Sequence, residues 1–130
     1  MPDRRKRRVF IVSDGTGRTA EQVVRSAVVQ FEEEPTEVLV RPGVRSVARV
    51  EHVVEEVAET GGVIFYTLVS EATRRAMKDA TAEHMVEAVD ILGPVFGGLN
   101  TVFHRRAHAR PGRYYQSEKV LFDRMDAIDY

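Results

Sequence analysis

The chain has 130 residues, of which 43% are hydrophobic and 30% are charged, and its formal net charge is -1. This balance is typical of a soluble globular protein of one domain, and it provides no overall field that would attract nucleic acid or a membrane. Cysteine is absent, which excludes disulfides and thiolate metal sites, and no apolar run approaches the ~20 residues that span a bilayer. We therefore expect a cytoplasmic protein that binds neither nucleic acid nor membrane.

The first half of the chain predicts two strands and two helices. Residues 1–8 are interpreted as a basic tail, and the short apolar run 9–12 predicts a strand that is buried on both faces. A helix follows, for which Thr19 and Gln22 can form a capping box. Its apolar stripe consists of Ala20, Val23, Val24, Ala27, Val28 and Phe31.

A second strand is predicted at 36–40, and Ser46 is the expected cap of the helix that comes after it. The stripe of this second helix consists of Val47, Val50, Val53, Val54 and Val57.

The second half begins with the most apolar strand, predicted at 63–69. Ser70 is expected to cap a third helix that ends near Thr81, and a fourth strand is predicted at 86–92, broken by Gly93-Pro94. Three further segments follow: 95–103 is predicted as a helix, 104–113 is basic, and 117–128 is predicted as a final helix with an apolar face.

Strand and helix alternate four times, which predicts a single α/β domain over residues 9–130. We expect an open, mostly parallel sheet of about four strands with helices on both faces, of Rossmann-like or flavodoxin-like type, plus a C-terminal helix. In such sheets ligands bind beyond the carboxyl ends of the strands, near the point where the strand order reverses.

The sequence Ser13-Asp14-Gly15-Thr16-Gly17 lies at such an end, between the first strand and the first helix. Backbone N–H groups at a helix start have no partners within the helix, and glycines let a phosphate approach them closely. The segment therefore has two interpretations, a phosphate-binding loop or a tight turn, and the carboxylate of Asp14 argues against an anion. It is not a Walker A loop, since no lysine follows a glycine-rich segment. The chain has Lys6, Lys78 and Lys119 only.

Further candidates lie at the ends of the second and third strands. Arg41 and Arg45 flank a Pro-Gly turn, where they either contact a phosphate or lie in solvent. Tyr66 and Thr67 are secondary candidates at the end of the third strand. His104 and His108 have metal-ligand spacing, but the arginines beside them favour a solvated surface, so no metal site is predicted.

Six segments occur in an order that resembles the bacterial kinase/pyrophosphorylase family, the regulatory proteins of phosphoenolpyruvate synthase and of pyruvate, phosphate dikinase. They are VSDGTGRTAE (12–21), RPGVRS (41–46), FYTLV (65–69), VDILGP (89–94), RPG (110–112) and LFDRMDAIDY (121–130). The resemblance covers residues 8–130 and corresponds to the N-terminal half of the family. The chain departs from the family pattern at Arg18, Tyr115 and Leu121.

The resemblance implies a bifunctional enzyme. Members phosphorylate a threonine of their target with ADP as donor, and they remove that phosphate with inorganic phosphate as acceptor, releasing pyrophosphate. The family's lysine-containing P-loop lies downstream of the segment that matches residues 122–130. We therefore expect an N-terminal domain without the phosphoryl-transfer centre, inactive alone, in which no catalytic residue is assigned.

The combined hypothesis assigns phosphate binding to the loop after the first strand, with Arg45 to neutralise charge. Its residues are Ser13, Asp14, Gly15, Thr16, Gly17, Thr19 and Arg45. No cofactor is expected on this domain, whereas ADP or ATP and phosphate are implied for the whole family. The expected partners are phosphoenolpyruvate synthase or pyruvate, phosphate dikinase, and a second copy in a homodimer. Two alternatives stay open: a non-catalytic docking or dimerisation module, and a free-standing α/β domain that binds a small ligand.

Overall fold

The computed structural model describes residues 6–105 and contains four strands and four helices in alternation. A 3₁₀ turn, Val29–Phe31, extends the first helix. The elements are β1 Arg7–Ser13, α1 Arg18–Val28, β2 Thr36–Arg41, α2 Val47–Thr60, β3 Val63–Thr67, α3 Glu71–His84, β4 Glu87–Asp90 and α4 Leu92–Phe103.

The four strands form one parallel sheet in the order β2-β1-β3-β4, which confirms the predicted α/β class. The chain moves outward from β1 to β2 and then returns past β1 to β3. The order therefore reverses between β1 and β3, and the loops that leave the ends of these two strands meet at this point. Ser13 and Thr67 are register partners there.

Each face of the sheet has its own apolar core, because side chains alternate along every strand. Phe10 and Val12 point to the face that α2 and α3 cover, whereas Val9 and Ile11 point to the face that α1 covers. All four side chains are buried, so the prediction that β1 is buried on both faces is confirmed. Helices on both faces are what a parallel sheet needs.

The predicted serine caps are confirmed, and the predicted capping box is wrong. The hydroxyls of Ser46 and Ser70 accept hydrogen bonds from the N–H groups three residues later, at 3.1 and 3.2 Å. Helix α1 begins at Arg18 instead, after Gly17, which has φ 82° and makes no side-chain cap. Thr19 therefore lies inside the first turn. Glycine adopts this left-handed conformation without the steric cost that a Cβ brings.

The fourth strand is shorter than predicted. Strand β4 ends at Asp90, whose Oδ1 accepts a 2.9 Å hydrogen bond from the N–H of Gly93. Gly93 and Pro94 thus form the first turn of α4 and do not interrupt a strand, since proline is tolerated in a first turn where its missing N–H is not needed. The strand predicted at 63–69 likewise ends at Thr67.

Helix α4 carries an apolar surface that the described residues leave uncovered. None of its side chains is buried, and the exposed ones include Val95, Leu99, Val102 and Phe103. Within residues 6–105 no helix is long and apolar enough to cross a membrane. The predicted helix at 117–128, most of the basic segment 104–113 and residues 1–5 of the predicted tail lie outside the described residues. The homodimer stays a prediction.

Candidate anion-binding site

The loop after β1 is held from both sides by hydrogen bonds. The N–H of Gly15 donates to Ser13 Oγ at 2.9 Å. The β2–α2 loop closes over this turn, because Val44 N–H donates to the Ser13 carbonyl and Gly43 N–H donates to the Gly15 carbonyl, both at 2.9 Å. Ser13 and Gly15 are buried. In this structure the Ser13 hydroxyl and the Gly15 N–H build the turn.

Asp14 is fully buried, with 0% of its surface exposed. Its Oδ2 accepts a 2.9 Å hydrogen bond from the N–H of Val69 in the β3–α3 loop. The Nε of Arg45 donates to the Asp14 carbonyl oxygen at 2.8 Å. Burial raises the pKa of the Asp14 carboxyl, whereas the hydrogen bond from Val69 and the charge of Arg45 oppose that rise. The carboxylate therefore joins two loops and is partly neutralised by Arg45, which weakens the sequence-based argument against an anion.

The beginning of α1 provides the open donors of the site. Among the described residues, none accepts a hydrogen bond from the N–H groups of Thr16, Gly17 or Thr19. The Thr16 hydroxyl accepts from the N–H of Arg18 at 3.2 Å, and the Thr16 and Thr19 side chains are exposed. Unpaired N–H groups and the positive end of the helix dipole favour an anion at this position.

Thr67 adds a buried hydroxyl beside the loop. It is 1% exposed, and no described residue makes a hydrogen bond with its Oγ1. Because Thr67 pairs with Ser13 across two parallel strands, their side chains lie on the same face of the sheet, the face of α1. A buried hydroxyl without a partner costs free energy, so this position favours an additional polar group.

Tyr66 lies apart from this group. Its side chain is 3% exposed and belongs to the core under α2 and α3, on the opposite face. Burial raises the pKa of Tyr66, and the nearby carboxylate of Asp90 raises it further.

The two arginines of the β2–α2 turn differ in their contacts. Arg45 contacts the loop after β1, as described above. Arg41 instead donates to both carboxylate oxygens of Glu56 on α2, at 2.9 and 2.6 Å, and lies 5.3 Å from the ring centroid of Phe10. The structure therefore brings Arg45 to the site and engages Arg41 with α2.

Replacing Glu56 by glutamine should cost less than about 1 kcal/mol of stability, because the Arg41–Glu56 pair is about one-third exposed. Arg41 holds the pKa of Glu56 below its ordinary value, so the difference between wild type and variant should shrink as pH falls through that pKa. Urea unfolding at neutral and acidic pH measures it. A loss of several kcal/mol would show that the pair is a main support of the β2–α2 turn.

Sequence reasoning missed two partners of the site, Val69 and Arg74. Val69 contributes a backbone N–H, which carries no side-chain signal. Arg74 on α3 pairs with Asp90 and donates to the Leu68 carbonyl at 2.9 Å. Asp90 is the last residue of β4, and its pairing with Arg74 depends on how α3 packs, which the sequence pattern does not show. Within residues 6–105 no three His, Cys, Asp or Glu side chains group to hold a metal, and His108 lies outside.

The parallel sheet and the glycine turn before α1 define a Rossmann-like α/β protein with a lysine-free loop at its switch point. A comparison with protein families identifies it further. The Kinase/pyrophosphorylase family model matches residues 9–130, and the chain belongs to this family.

Curated relatives agree with this assignment. The chain is 34% identical over 122 residues to candidate pyruvate, phosphate dikinase regulatory proteins of Chloroflexus aurantiacus and Erythrobacter litoralis, covering 94% of this chain and 44% of each relative. A Staphylococcus aureus protein of the same name is 29% identical over 127 residues, covering 96% of the chain and 47% of the relative. The chain therefore spans less than half the length of these relatives.

Proposed function

We propose that this chain is the N-terminal part of a bifunctional serine/threonine protein kinase and pyrophosphorylase. The whole protein would phosphorylate a threonine of its target from ADP, and would transfer that phosphoryl group to inorganic phosphate, forming pyrophosphate. The names of the relatives favour pyruvate, phosphate dikinase as the target over phosphoenolpyruvate synthase. The proposal places both proteins in the cytoplasm, with the nucleotide bound outside these residues.

Within that reaction, we assign to the loop after β1 the binding of inorganic phosphate. The observation that carries this assignment is a combination of polar groups that have no hydrogen-bond partner within residues 6–105: the N–H groups of Thr16, Gly17 and Thr19 and the buried hydroxyl of Thr67. A helix N-terminus suits an anion. Phosphate oxygens would accept from the N–H groups and the exposed threonine hydroxyls.

A phosphate titration tests the assignment. Millimolar phosphate or pyrophosphate should shift the backbone amide resonances of residues 13–19 in an NMR spectrum of the 130-residue chain. Replacing both Thr16 and Thr19 by alanine should weaken binding about tenfold, because each lost hydroxyl is worth about 0.5–1.5 kcal/mol. Thr101→Ala on α4 is the matched control, since its exposed hydroxyl donates to the Gly97 carbonyl of the same helix. Resonances that stay in place while others move would overturn the assignment.

A docking role is the second candidate, and the exposed apolar surface of α4 favours it. In a complete relative, alanines at the positions of Thr16 and Thr19 should reduce turnover if the loop takes part in the reaction. A charged residue at the position of Leu99 should instead weaken target binding if α4 is the docking surface. Unchanged turnover in the first variant, with lost target binding in the second, would favour docking.

A further inference from the structure

One peptide group lies between two charged side chains at the carboxyl edge of the sheet. Its carbonyl, from Leu68, accepts a 2.9 Å hydrogen bond from Arg74. Its N–H, from Val69, donates to Asp14 Oδ2, also at 2.9 Å. The Leu68–Val69 peptide is thus bound at one end by a guanidinium and at the other by a carboxylate.

Arg74 is itself held by Asp90. The two guanidinium NH groups contact both carboxylate oxygens of Asp90, and the contact to Oδ1 is 3.1 Å. This pair is 19% exposed on each side, so it is shielded from solvent and its bidentate geometry restricts the guanidinium. The ring centroid of Phe96 lies 5.9 Å from the guanidinium carbon of Arg74. Arg74 therefore has little freedom to leave the Leu68 carbonyl.

The bonds on the two sides of the peptide reinforce each other. A cation at the carbonyl withdraws electron density from the peptide and makes its N–H a stronger donor, and hydrogen bonds in series polarise one another in this way. The plane of the peptide is rigid, so a carbonyl fixed by Arg74 also fixes the direction of the Val69 N–H. The direction of this N–H determines the position in which the Asp14 carboxylate accepts its hydrogen bond.

We infer that Arg74 is a positioning residue for Asp14, acting through the Leu68–Val69 peptide, and that Asp90 holds Arg74 in place. The series of contacts runs from Asp90 at the end of β4 to Asp14 in the loop after β1. The edge strand β4 therefore helps to fix the conformation of that loop. The relevance to phosphate rests on the proposed function, whereas the positioning itself does not.

Gly93 provides a way to disturb this arrangement without removing a charge. A Cβ at this position would overlap the Asp90 carboxylate and would lie 3.0 Å from an NH2 group of Arg74. Gly93→Ala should therefore displace the pair while both charges remain.

The test measures the Val69 amide proton shift and the ionisation midpoint of the Asp14 carboxyl by NMR. Arg74→Met should move the Val69 proton upfield, as a weakened hydrogen bond does. It should also raise the Asp14 midpoint by about half a pH unit, since the ionised form loses part of its donor. Arg75→Met is the matched control, because Arg75 is exposed on the same helix, and it should leave both values unchanged. Unchanged values in a folded Arg74→Met protein would overturn the inference.

Asp90→Asn distinguishes positioning from a simple long-range charge effect. Removing a negative charge would by itself lower the Asp14 midpoint. If Asp90 acts by holding Arg74, the midpoint should rise instead, and a fall would overturn the inference. If Arg74→Met does not fold, Asp90→Asn and Gly93→Ala carry the same readouts. Phosphate affinity is measured separately: wild-type protein that binds no phosphate would refute the proposed function and leave the positioning result standing.

Discussion

Replacing Gly62 by alanine should lower the free energy of unfolding by about 2–4 kcal/mol, the largest loss that we expect from a single methyl group in this domain. Gly62 has φ 147°, which L side chains rarely adopt, and a Cβ there would lie 2.8 Å from the backbone oxygen of Arg8 and 3.0 Å from a ring carbon of Phe10. The Arg8 oxygen belongs to β1, the strand between β2 and β3, so it cannot move without disturbing the sheet. Thermal unfolding should show a decrease of about 10–20 °C.

Gly61→Ala is the control that separates strain from steric overlap. Gly61 has φ 82°, but nothing lies within 4 Å of a Cβ built there. We expect a loss of about 1–2 kcal/mol, from backbone strain alone. Equal losses at positions 61 and 62 would contradict our account, because they would show that β1 yields to the added methyl group at no cost.

The sequence predicts those features of the fold that depend on neighbours along the chain. Short apolar runs and apolar stripes indicate all four strands and all four helices of the described region, and the hydroxyls of Ser46 and Ser70 mark two helix starts. The predicted cap of α1, Thr19, is too late, because the helix begins at Arg18 after Gly17. Gly17 begins the helix through its backbone conformation, which no side chain indicates. The predicted end of β4, residue 92, is two residues too late. The Asp90 carboxylate accepts a hydrogen bond from the N–H of Gly93, and helix α4 begins there instead.

The candidate site shows a sharper limit. Glycines and hydroxyls after a buried strand indicate its loop, and in the structure Arg45 contacts that loop at the Asp14 carbonyl. The pattern could not show that Ser13 and Asp14 point inward to Gly15 and Val69, or that Arg41 pairs with Glu56. These choices depend on residues 15 to 55 positions away in the chain or on backbone groups. In the part of the chain that the structure describes, the loop's open N–H donors are therefore a smaller set than the residue types suggest: Thr16, Gly17 and Thr19.

Asp14→Asn should make the protein more stable at neutral pH. In the unfolded chain Asp14 ionises near its ordinary pKa of 3.8, whereas burial raises the pKa in the folded protein. Between these two pH values the folded protein binds more protons than the unfolded chain, so the free energy of unfolding falls as pH rises through the window. The penalty then remains constant at higher pH. Asparagine keeps an oxygen that accepts from the Val69 N–H, and it carries no charge. The free energy of unfolding of the variant should therefore not fall as pH rises through this window.

The difference between wild type and Asp14→Asn should therefore be small below pH 3.8 and largest above the raised pKa, as measured by urea unfolding across that range. Asp79→Asn on α3 is the control, because Asp79 is exposed, and its curve should follow that of wild type. Asp14→Ala should instead destabilise the fold by about 1–3 kcal/mol below pH 3.8, since it leaves the Val69 N–H buried without an acceptor. This loss should shrink above the raised pKa, because alanine does not titrate and only the wild type loses stability there. A variant Asp14→Asn that is less stable than wild type at pH 7 would show that the charge of Arg45 outweighs the cost of burial. Greater stability in the variant would mean that the buried carboxylate is retained at a cost to folding, which is expected of a group that serves the loop after β1.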